Sequence, residues 1–190
     1  MHHTGLDLSL TGTGIAHLQT GPDGPTITTR TITSSGRKTD TLPMRADRLR
    51  RIRNAILDHT RDADLVALEA PAYAANVGSV WDRAGLWWLV VQGLDQLRIP
   101  YVAIPPTTVK KFATDKGNAD KTAVAAGMTR LWGDHASPQD DNQFDALALA
   151  TMAAVHTDFR ALAPVTILER HKLAASGITW PALNPGQVRA

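Results

Sequence analysis

Four carboxylates of this 190-residue chain stand where their chemistry needs an explanation. Asp7 interrupts the apolar run "GLDLSL", Glu69 ends the run "DLVALE", and Asp141 and Asp145 open the stretch "DNQFDALALA". A carboxylate buried without a partner is strongly unfavourable, and carboxylates that share one site repel one another unless a cation neutralises them. Mg2+ prefers oxygen ligands, and two such ions can activate water and stabilise a leaving oxygen. The four acids therefore predict phosphodiester hydrolysis with two Mg2+ ions, or with Mn2+ in their place.

Each of these acids also has a purely structural alternative. Asp7 alone is consistent with a turn cap, Glu69 with an ion pair to an arginine of the first helix, and Asp141 with a helix N-cap. Their joint occurrence at strand ends and helix starts favours a shared site, because functional groups concentrate at such ends. The remaining acids of this kind are interpreted as loop or cap residues: Asp120, Asp134 and Asp140.

The hydrophobic pattern predicts the elements that position these acids. Runs of β-type residues bounded by turn signals predict strands, and apolar residues at helical spacing predict helices. The predicted strands are 4–10, 14–19, 25–33, 64–71 and 99–106, and the predicted helices are 43–60, 80–97, 107–114, 120–132 and 141–156. This order predicts an α/β fold, a mixed five-stranded sheet with helices on both faces. If the first and fourth strands are neighbours, Asp7 and Glu69 point to the same side, while Asp141 and Asp145 share one helix face.

Length and composition restrict the class of protein. With 190 residues, of which 43% are hydrophobic, the chain is expected to form one domain at 1–157, followed by an extension at 158–190 that lies on the domain surface or on a partner. The chain contains no cysteine, which excludes disulfides and thiolate metal sites. It also contains no apolar run near the ~20 residues that a membrane span needs. We therefore expect a cytoplasmic protein without a membrane partner.

Charge is segregated along the chain. The segment 30–53 carries eight basic residues against two acidic ones, whereas 134–145 carries four aspartates and no lysine or arginine. A polyanionic partner on one surface and a cation-loaded acidic cleft on another would explain this separation. The alternative is a solvated basic helix face beside an acidic loop.

Four segments, taken in order, resemble the RuvC-type Holliday junction resolvases of the ribonuclease H-like superfamily. They are "GLDLSLTGTGIA", "ALEAPAYAANVGSVWDRAGLWWLVV", "VKKFATDKGNADK" and "DNQFDALALA", and the resemblance that rests on them covers about residues 4–155. The resemblance implies a homodimeric, Mg2+-dependent endonuclease that makes paired nicks across a four-way DNA junction in recombination and repair, without a nucleotide cofactor. The first segment alone also resembles the phosphate loop of sugar kinases and actin-like ATPases. Those enzymes need two such domains, and 190 residues hold one, which disfavours a phosphotransferase.

By position, the resemblance identifies three metal ligands and leaves a fourth open. Asp7 matches the family's first-strand acid, Glu69 its fourth-strand acid and Asp145 the acid of its last helix. The family's remaining ligand sits three residues before that last acid, where this chain has Asn142. We expect Asp141 to take that role, with Asn142 as the alternative that contributes an oxygen or orients a water. The departure also motivates a protein that binds junctions without cleaving them, and a divergent, phage-encoded branch is one interpretation of it.

The second and third segments supply predicted DNA contacts. Tyr73 is expected to stack on a base at the junction, with ordinary packing as the alternative, and the lysines around the "DKGN" loop are expected to grip phosphates. Lys121 is also expected to stabilise charge in the transition state. The alternative for these lysines is a solvated loop. The predicted DNA-binding residues are Tyr73, Asn76, Lys110, Lys111, Lys116 and Lys121.

Two further surfaces have paired interpretations. The apolar helix with Trp87 and Trp88 is typical of a dimer interface, with core packing expected for one of the two, because adjacent helical residues face different ways. The arginines of the first helix are candidates for DNA contact, with a solvent-facing helix as the alternative: Arg45, Arg48, Arg50, Arg51 and Arg53.

Overall fold

One mixed sheet organises the residues that this computed structural model describes, 1–71 and 80–183. Within those ranges it has five strands in the order β3-β2-β1-β4-β5. The strands β1, β2 and β3 form an antiparallel meander, and β4 and β5 extend β1 in parallel. The predicted mixed sheet is therefore confirmed. The strands are β1 (His2–Asp7), β2 (Gly12–Gly21), β3 (Gly24–Thr33), β4 (Leu65–Glu69) and β5 (Tyr101–Ile104).

Helices cover both faces of the sheet. One face packs against α1 (Leu42–Thr60) and α2 (Val80–Gln96), and the other packs against α5 (Asp141–Asp158). Around α5 lie α3 (Pro106–Thr114), α4 (Lys121–Trp132) and α6 (Glu169–Ser176). Each of the five predicted helices begins and ends within two residues of its prediction.

The first strand is shorter than the sequence predicts. β1 ends at Asp7 rather than at residue 10, because the following residues close a turn. Thr13 Oγ1 donates to the Ser9 carbonyl at 2.8 Å and accepts from the Ser9 amide at 3.1 Å. Asp7 is therefore the last residue of the strand, a position from which its side chain reaches the edge of the sheet.

Glycines let α5 lie directly on the backbone of β1 and β2. A Cβ added at Gly5 would lie 1.9 Å from the Ala146 carbonyl oxygen, and one added at Gly14 would lie 2.0 Å from the Asn142 carbonyl oxygen. Any other residue at these two positions would push the helix outward. The first turns of α5 are thereby held against the end of β1, where Asp7 lies.

The described part of the predicted extension, 158–183, packs onto α3 and α5. Leu162 and Ala175 are buried in the same core as α5, and the His171 ring packs on Phe112 with 4.8 Å between ring centroids. The Trp180 ring stacks on that of His156 at 4.6 Å. The domain boundary at 157 stays a prediction, and residues beyond it contribute to the core.

Candidate metal and nucleic-acid site

Asp7 and Glu69 come side by side at the carboxyl edge of two parallel strands. The last registered pair between β1 and β4 is Leu6 with Leu68, and each acid is the next residue along its strand. Leu6 and Leu68 belong to the core under α1 and α2, so the two acids point to the opposite face, toward α5. The predicted convergence of these two residues follows from this register.

Asp145 joins them from the helix. It is the residue directly before Ala146, whose carbonyl lies over Gly5. The Asp145 side chain is half-buried. Its charge raises the pKa of both Asp7 and Glu69, which places the three carboxylates within one electrostatic neighbourhood. We refer to Asp7, Glu69 and Asp145 as the acid cluster.

Burial and mutual repulsion leave the acid cluster poorly stabilised as anions. Burial, and then the charge of Asp145, raises the pKa of Asp7 to about 7. Burial, and then the charges of Asp7 and Asp145, raises the pKa of Glu69 to about 8. The pKa of Asp145 is also raised, chiefly by burial. In the ranges 1–71 and 80–183, no group donates a hydrogen bond to any of these three carboxylates.

Two lysines face the acid cluster from the α3–α4 hairpin. The charges of Lys110 and Lys121 both lower the pKa of Glu69 and of Asp145, against the effect of burial. The two helices of the hairpin pack closely where they meet, since a Cβ at Gly127 would lie 2.2 Å from the Ala113 carbonyl oxygen. Lys111 and Lys116 are exposed and are not among the charges that act on the acid cluster.

The two candidates for the fourth ligand lie in different surroundings. The side chain of Asp141 is 54% exposed, and its carboxylate lies 3.8 Å from Lys121 Nζ. It raises the pKa of Asp145 but is not among the groups that shift Asp7 or Glu69. Asn142 is half-buried, with its Nδ2 3.2 Å from the place of a Cβ at Gly12, beside the turn that follows β1. The assignment of the fourth ligand stays a prediction.

Asp140 is the nearby acid whose contacts sequence reasoning missed. It caps α5, as its cap-like position suggested, and its Oδ1 accepts from the Gln143 amide at 2.9 Å. Its Oδ2 accepts from Thr31 Oγ1 at 2.5 Å, a contact that joins residues 109 positions apart. Its charge also raises the pKa of Asp7. Spacing along the chain carried no signal for the Thr31 contact.

The donor set of the acid cluster fits a hard divalent cation. Three half-buried carboxylates offer oxygen ligands, repel one another and receive no hydrogen bond in the described ranges. A bound cation would therefore offset the unfavourable free energy of holding them as anions. The side chains are neighbours rather than a closed cage: among residues 1–71 and 80–183, no three acids or histidines already converge as ligands of one ion. The residues that would hold a cation are therefore present, although their carboxylates would have to draw closer together around it.

Tryptophans of α2 divide between the site and the surface. Trp87 packs into the core, and its Nε1 donates to the Glu69 carbonyl at 3.1 Å, which holds the end of β4 in place. Trp88 is 64% exposed and Trp81 is 85% exposed. The expectation that one of Trp87 and Trp88 is core is confirmed. The exposure of Trp81 was missed, because the sequence suggested a helix that is apolar nearly all round.

Most arginines of α1 are engaged within the molecule. Arg45 donates twice to Asp82, with N···O distances of 3.0 and 2.6 Å, and Arg48 donates to Ser34 Oγ at 2.9 Å and to the Leu10 carbonyl at 2.5 Å. Arg50 and Arg51 pair with Asp47. These contacts favour a structural role for the arginine-rich face.

Tyr73 and Asn76 lie outside the described residues, so their predicted contacts with DNA stay predictions. Among the helices in the described part of the chain, none is long and apolar enough to cross a membrane.

Comparison with known proteins gives a consistent result. A family model described as "Crossover junction endodeoxyribonuclease RuvC" matches residues 4–153. Relatives of that name are 37% identical over 108 residues in Frankia alni and 29% identical over 148 residues in Corynebacterium efficiens, matches that cover 55% and 77% of this chain. These matches span 54% and 65% of the relatives themselves, less than two thirds of either. The Salinispora arenicola relative is 31% identical over 150 residues, which cover 79% of this chain and 85% of the relative.

Solved structures share the fold. Thermus thermophilus RuvC superposes with a TM-score of 0.64 at 20% identity, covering 79% of this chain and 91% of that one. The same protein in complex with a Holliday junction substrate gives 0.65 at 17% identity, covering 83% and 97%. These matches confirm the predicted ribonuclease H-like fold. Since the family model covers 150 of the 190 residues and spans every element from β1 to most of α5, the chain belongs to the RuvC family of crossover junction endodeoxyribonucleases.

Proposed function

We propose that this chain is a metal-dependent DNA endonuclease that resolves four-way junctions by paired nicks. The observation that carries the proposal is the acid cluster, three acids with raised pKa values at the carboxyl edge of β1 and β4, faced by Lys110 and Lys121. All of these residues lie in the segment that the family model matches. Relatives bear the name crossover junction endodeoxyribonuclease, and one structural neighbour was solved with a Holliday junction substrate.

The proposed ligands are Asp7, Glu69 and Asp145, with Asp141 or Asn142 as the fourth. Two Mg2+ ions, or Mn2+, would supply an activated water and stabilise the leaving oxygen. The carboxylates would hold the ions, and the ions would neutralise the repulsion among the buried anions. Partial burial of the carboxylates lowers the effective dielectric around them, which strengthens the charge interactions in the site.

Lys110 and Lys121 are proposed to act on the phosphate. Each already faces the acid cluster, and each carries the charge that a scissile phosphate would meet as it approaches the carboxylates. Lys121 leaves its contact with Asp141 to stabilise charge that develops in the transition state. Lys111 and Lys116, exposed on the same hairpin, are proposed to contact backbone phosphates further along the arm, where they position the DNA without reading sequence.

A homodimer through α2 is part of the proposal, because paired nicks need two sites. Trp81 and Trp88 are seven residues apart, so they lie on one face of α2, and both are exposed. Exposed aromatic residues in one stripe are typical of protein interfaces.

The dimer is tested by Trp88→Glu, with Leu173→Glu on α6 as a matched control, since the side chain of Leu173 is equally exposed at 64%. Sedimentation should give a dimer for the wild type and the control, and a monomer for Trp88→Glu. A dimer that survives Trp88→Glu would remove α2 from the interface.

A second candidate function has one observation in its favour. Asn142 occupies the position where the family's remaining ligand is expected, and Asp141 pairs with Lys121 instead of facing Asp7. A chain that fails to complete its metal site would bind junctions without cleaving them. Membership of the RuvC family sets the phosphotransferase alternative aside.

A labelled four-way junction with Mg2+ separates these functions. Symmetric nicks by the wild type, their loss in Glu69→Gln and their retention in the surface variant Asp134→Asn support the nuclease. A gel shift by the wild type without products supports the binding protein. Equal cutting of a linear duplex would contradict junction selectivity, and unchanged cleavage by Glu69→Gln would contradict the assigned site.

A further inference from the structure

A polar network ties the edge strand β3 to the first turn of α5. Thr31 Oγ1 donates to Asp140 Oδ2 at 2.5 Å and accepts from Gln143 Nε2 at 3.0 Å. Gln143 Oε1 accepts from Thr29 Oγ1 at 2.8 Å and from the Gln139 amide at 3.0 Å. Both polar atoms of the Gln143 side chain therefore form hydrogen bonds. The backbone amide of Gln143 also donates to Asp140, which completes the helix cap.

The network places a buried polar side chain between β3 and the start of α5. Gln143 is 6% exposed, and a buried amide is tolerated only when its hydrogen bonds are made, whereas an apolar side chain could fill the same space. β3 itself carries no proposed ligand. What the network fixes is the first turn of α5, which holds Asp141, Asn142 and, one turn further on, Asp145.

The first turn of α5 needs contacts that restrain its position on the sheet. Where the helix crosses β1 and β2 it meets Gly5, Gly12 and Gly14, so the sheet offers it backbone rather than protruding side chains. Close approach to glycine backbone sets the height of the helix above the sheet at these positions, whereas restraint of the rotation of its first turn must come from side-chain contacts. The hydrogen bonds to Thr31 supply that restraint, from one side and at defined distances.

We propose that Thr31 and Gln143 are positioning residues for the metal site, an inference that rests on the proposed function. They hold the rotation of α5 that directs Asp145 at Asp7 and Glu69. Metal sites must be held within about 0.5 Å of their working geometry, and partners behind the ligands typically change metal affinity or activity by about 10- to 100-fold. Thr31 acts through Asp140 and Gln143 and touches none of the proposed ligands' carboxylates.

Metal binding to the full chain is the direct readout. Mn2+ affinity is measured by electron paramagnetic resonance for the wild type, Thr31→Val, Thr31→Ser and Thr28→Val. Thr31→Val keeps the shape but loses the hydroxyl, and should weaken Mn2+ binding about tenfold. Thr31→Ser restores the hydroxyl and should bind as the wild type does. Thr28 lies on the same strand but is exposed on the opposite face, so Thr28→Val should also bind normally.

The outcomes separate this inference from the function on which it rests. Wild-type affinity in a folded Thr31→Val protein overturns the positioning role and leaves the nuclease proposal intact. A wild type that neither binds Mn2+ nor cleaves overturns the nuclease proposal and the positioning role with it. If Thr31→Val does not fold, Thr29→Val removes only the bond to Gln143 Oε1 and is held to the same criterion: weaker Mn2+ binding supports the role, and unchanged binding overturns it.

Discussion

Two regions of the molecule hold partly buried ionisable groups. In one region these groups have hydrogen-bond partners within the protein, and in the other their carboxylates have none among the described residues. The acid cluster lies at the carboxyl edge of β1 and β4. At the other end of β1, on the opposite face of the sheet, His2, His17 and His59 line a cavity of about 320 Å3, which we call the histidine cavity. Burial raises the pKa of Asp7 to about 7 and lowers that of His17 to about 4, so in both regions the uncharged form is favoured.

The regions differ in what the surrounding protein provides. His17 Nδ1 is in hydrogen-bond contact with Thr4 Oγ1 at 3.2 Å, and His59 Nε2 accepts from Arg30 at 3.1 Å. A neutral imidazole carries no charge to compensate at neutral pH, so these hydrogen bonds are sufficient partners for it. The acid cluster receives no hydrogen bond from the described residues, and Asp7, with its pKa raised to about 7, is partly ionised at neutral pH. A shifted pKa alone therefore does not mark a functional site, and what distinguishes the acid cluster is three raised pKa values together with carboxylates that receive no hydrogen bond from the described residues.

The largest effect is expected from Asp7→Asn, which removes a charge from the acid cluster. Cleavage of a four-way junction should fall about 10³-fold, because a bound ion contributes several kcal/mol to transition-state stabilisation. The same variant should unfold at a higher temperature than the wild type in EDTA at pH 8, because it removes a repelled and buried charge. Junction cleavage and thermal unfolding measure the two effects. A destabilised Asp7→Asn would instead favour the turn-cap interpretation of Asp7.

The pH dependence of stability should differ in sign between the two regions. Asp7 and Glu69 have pKa values raised from 3.8 and 4.5 to about 7 and about 8, so the folded state keeps these protons to higher pH than the unfolded chain. Their contribution to stability is full at low pH and is lost as the pH rises to about 8. The pKa of His17 is lowered from 6.5 to about 4, so its contribution is present above pH 6.5 and is lost as the pH falls toward 4.

The window from pH 6.5 to 8 isolates the acid cluster, because every histidine whose pKa is shifted is shifted downward. In EDTA, the free energy of unfolding should fall across this window by roughly 1 kcal/mol per pH unit for each proton released. Saturating Mg2+ should abolish the decline. Urea titrations at several pH values measure it, and a wild-type curve that is flat in EDTA would contradict the raised pKa values.

Sequence reasoning located the acid cluster because simple rules govern it. Parallel neighbouring strands bring Asp7 and Glu69 to one edge, and the helical pattern placed Asp145 at the start of α5. The succession of strands and helices predicted a mixed sheet, and the structure supplies the condition that the first and fourth strands are neighbours. Even the error at the end of β1 was local, since it depended on how the Thr13 hydroxyl closes a turn.

The remaining features depend on contacts that no local pattern encodes. Thr31 meets Asp140 across 109 positions, and nothing in the spacing of a threonine on an edge strand indicates which helix lies above it. The tail lacked helical periodicity, yet Leu162 is buried, because its segment packs against α5, β2 and β3. Which of Asp141 and Asn142 completes the metal site also depends on the rotation of α5, which we propose is held by hydrogen bonds from residues far away along the chain.

A smaller effect should distinguish the two candidates for the fourth ligand. Asp141→Asn should lower Mg2+-dependent cleavage about tenfold, the scale of a peripheral metal contact. Adding Asn142→Asp should restore part of the loss by placing a carboxylate at the family's usual position. The Mg2+ concentration for half-maximal cleavage is the measurement, with Asp134→Asn as the control. Full activity in Asp141→Asn would remove Asp141 from the ligand set.

The smallest effect on cleavage is expected from the histidine cavity. His17→Gln removes a half-buried imidazole whose hydrogen bond to Thr4 is satisfied within the protein, so junction cleavage and Mn2+ affinity should match the wild type. Stability should change only in its pH dependence: the rise in unfolding free energy between about pH 4 and 6.5 should become shallower, because the variant loses a group whose folded pKa is depressed. Reduced Mn2+ affinity in His17→Gln would contradict the contrast between the regions, since it would link the histidine cavity to the acid cluster through β1.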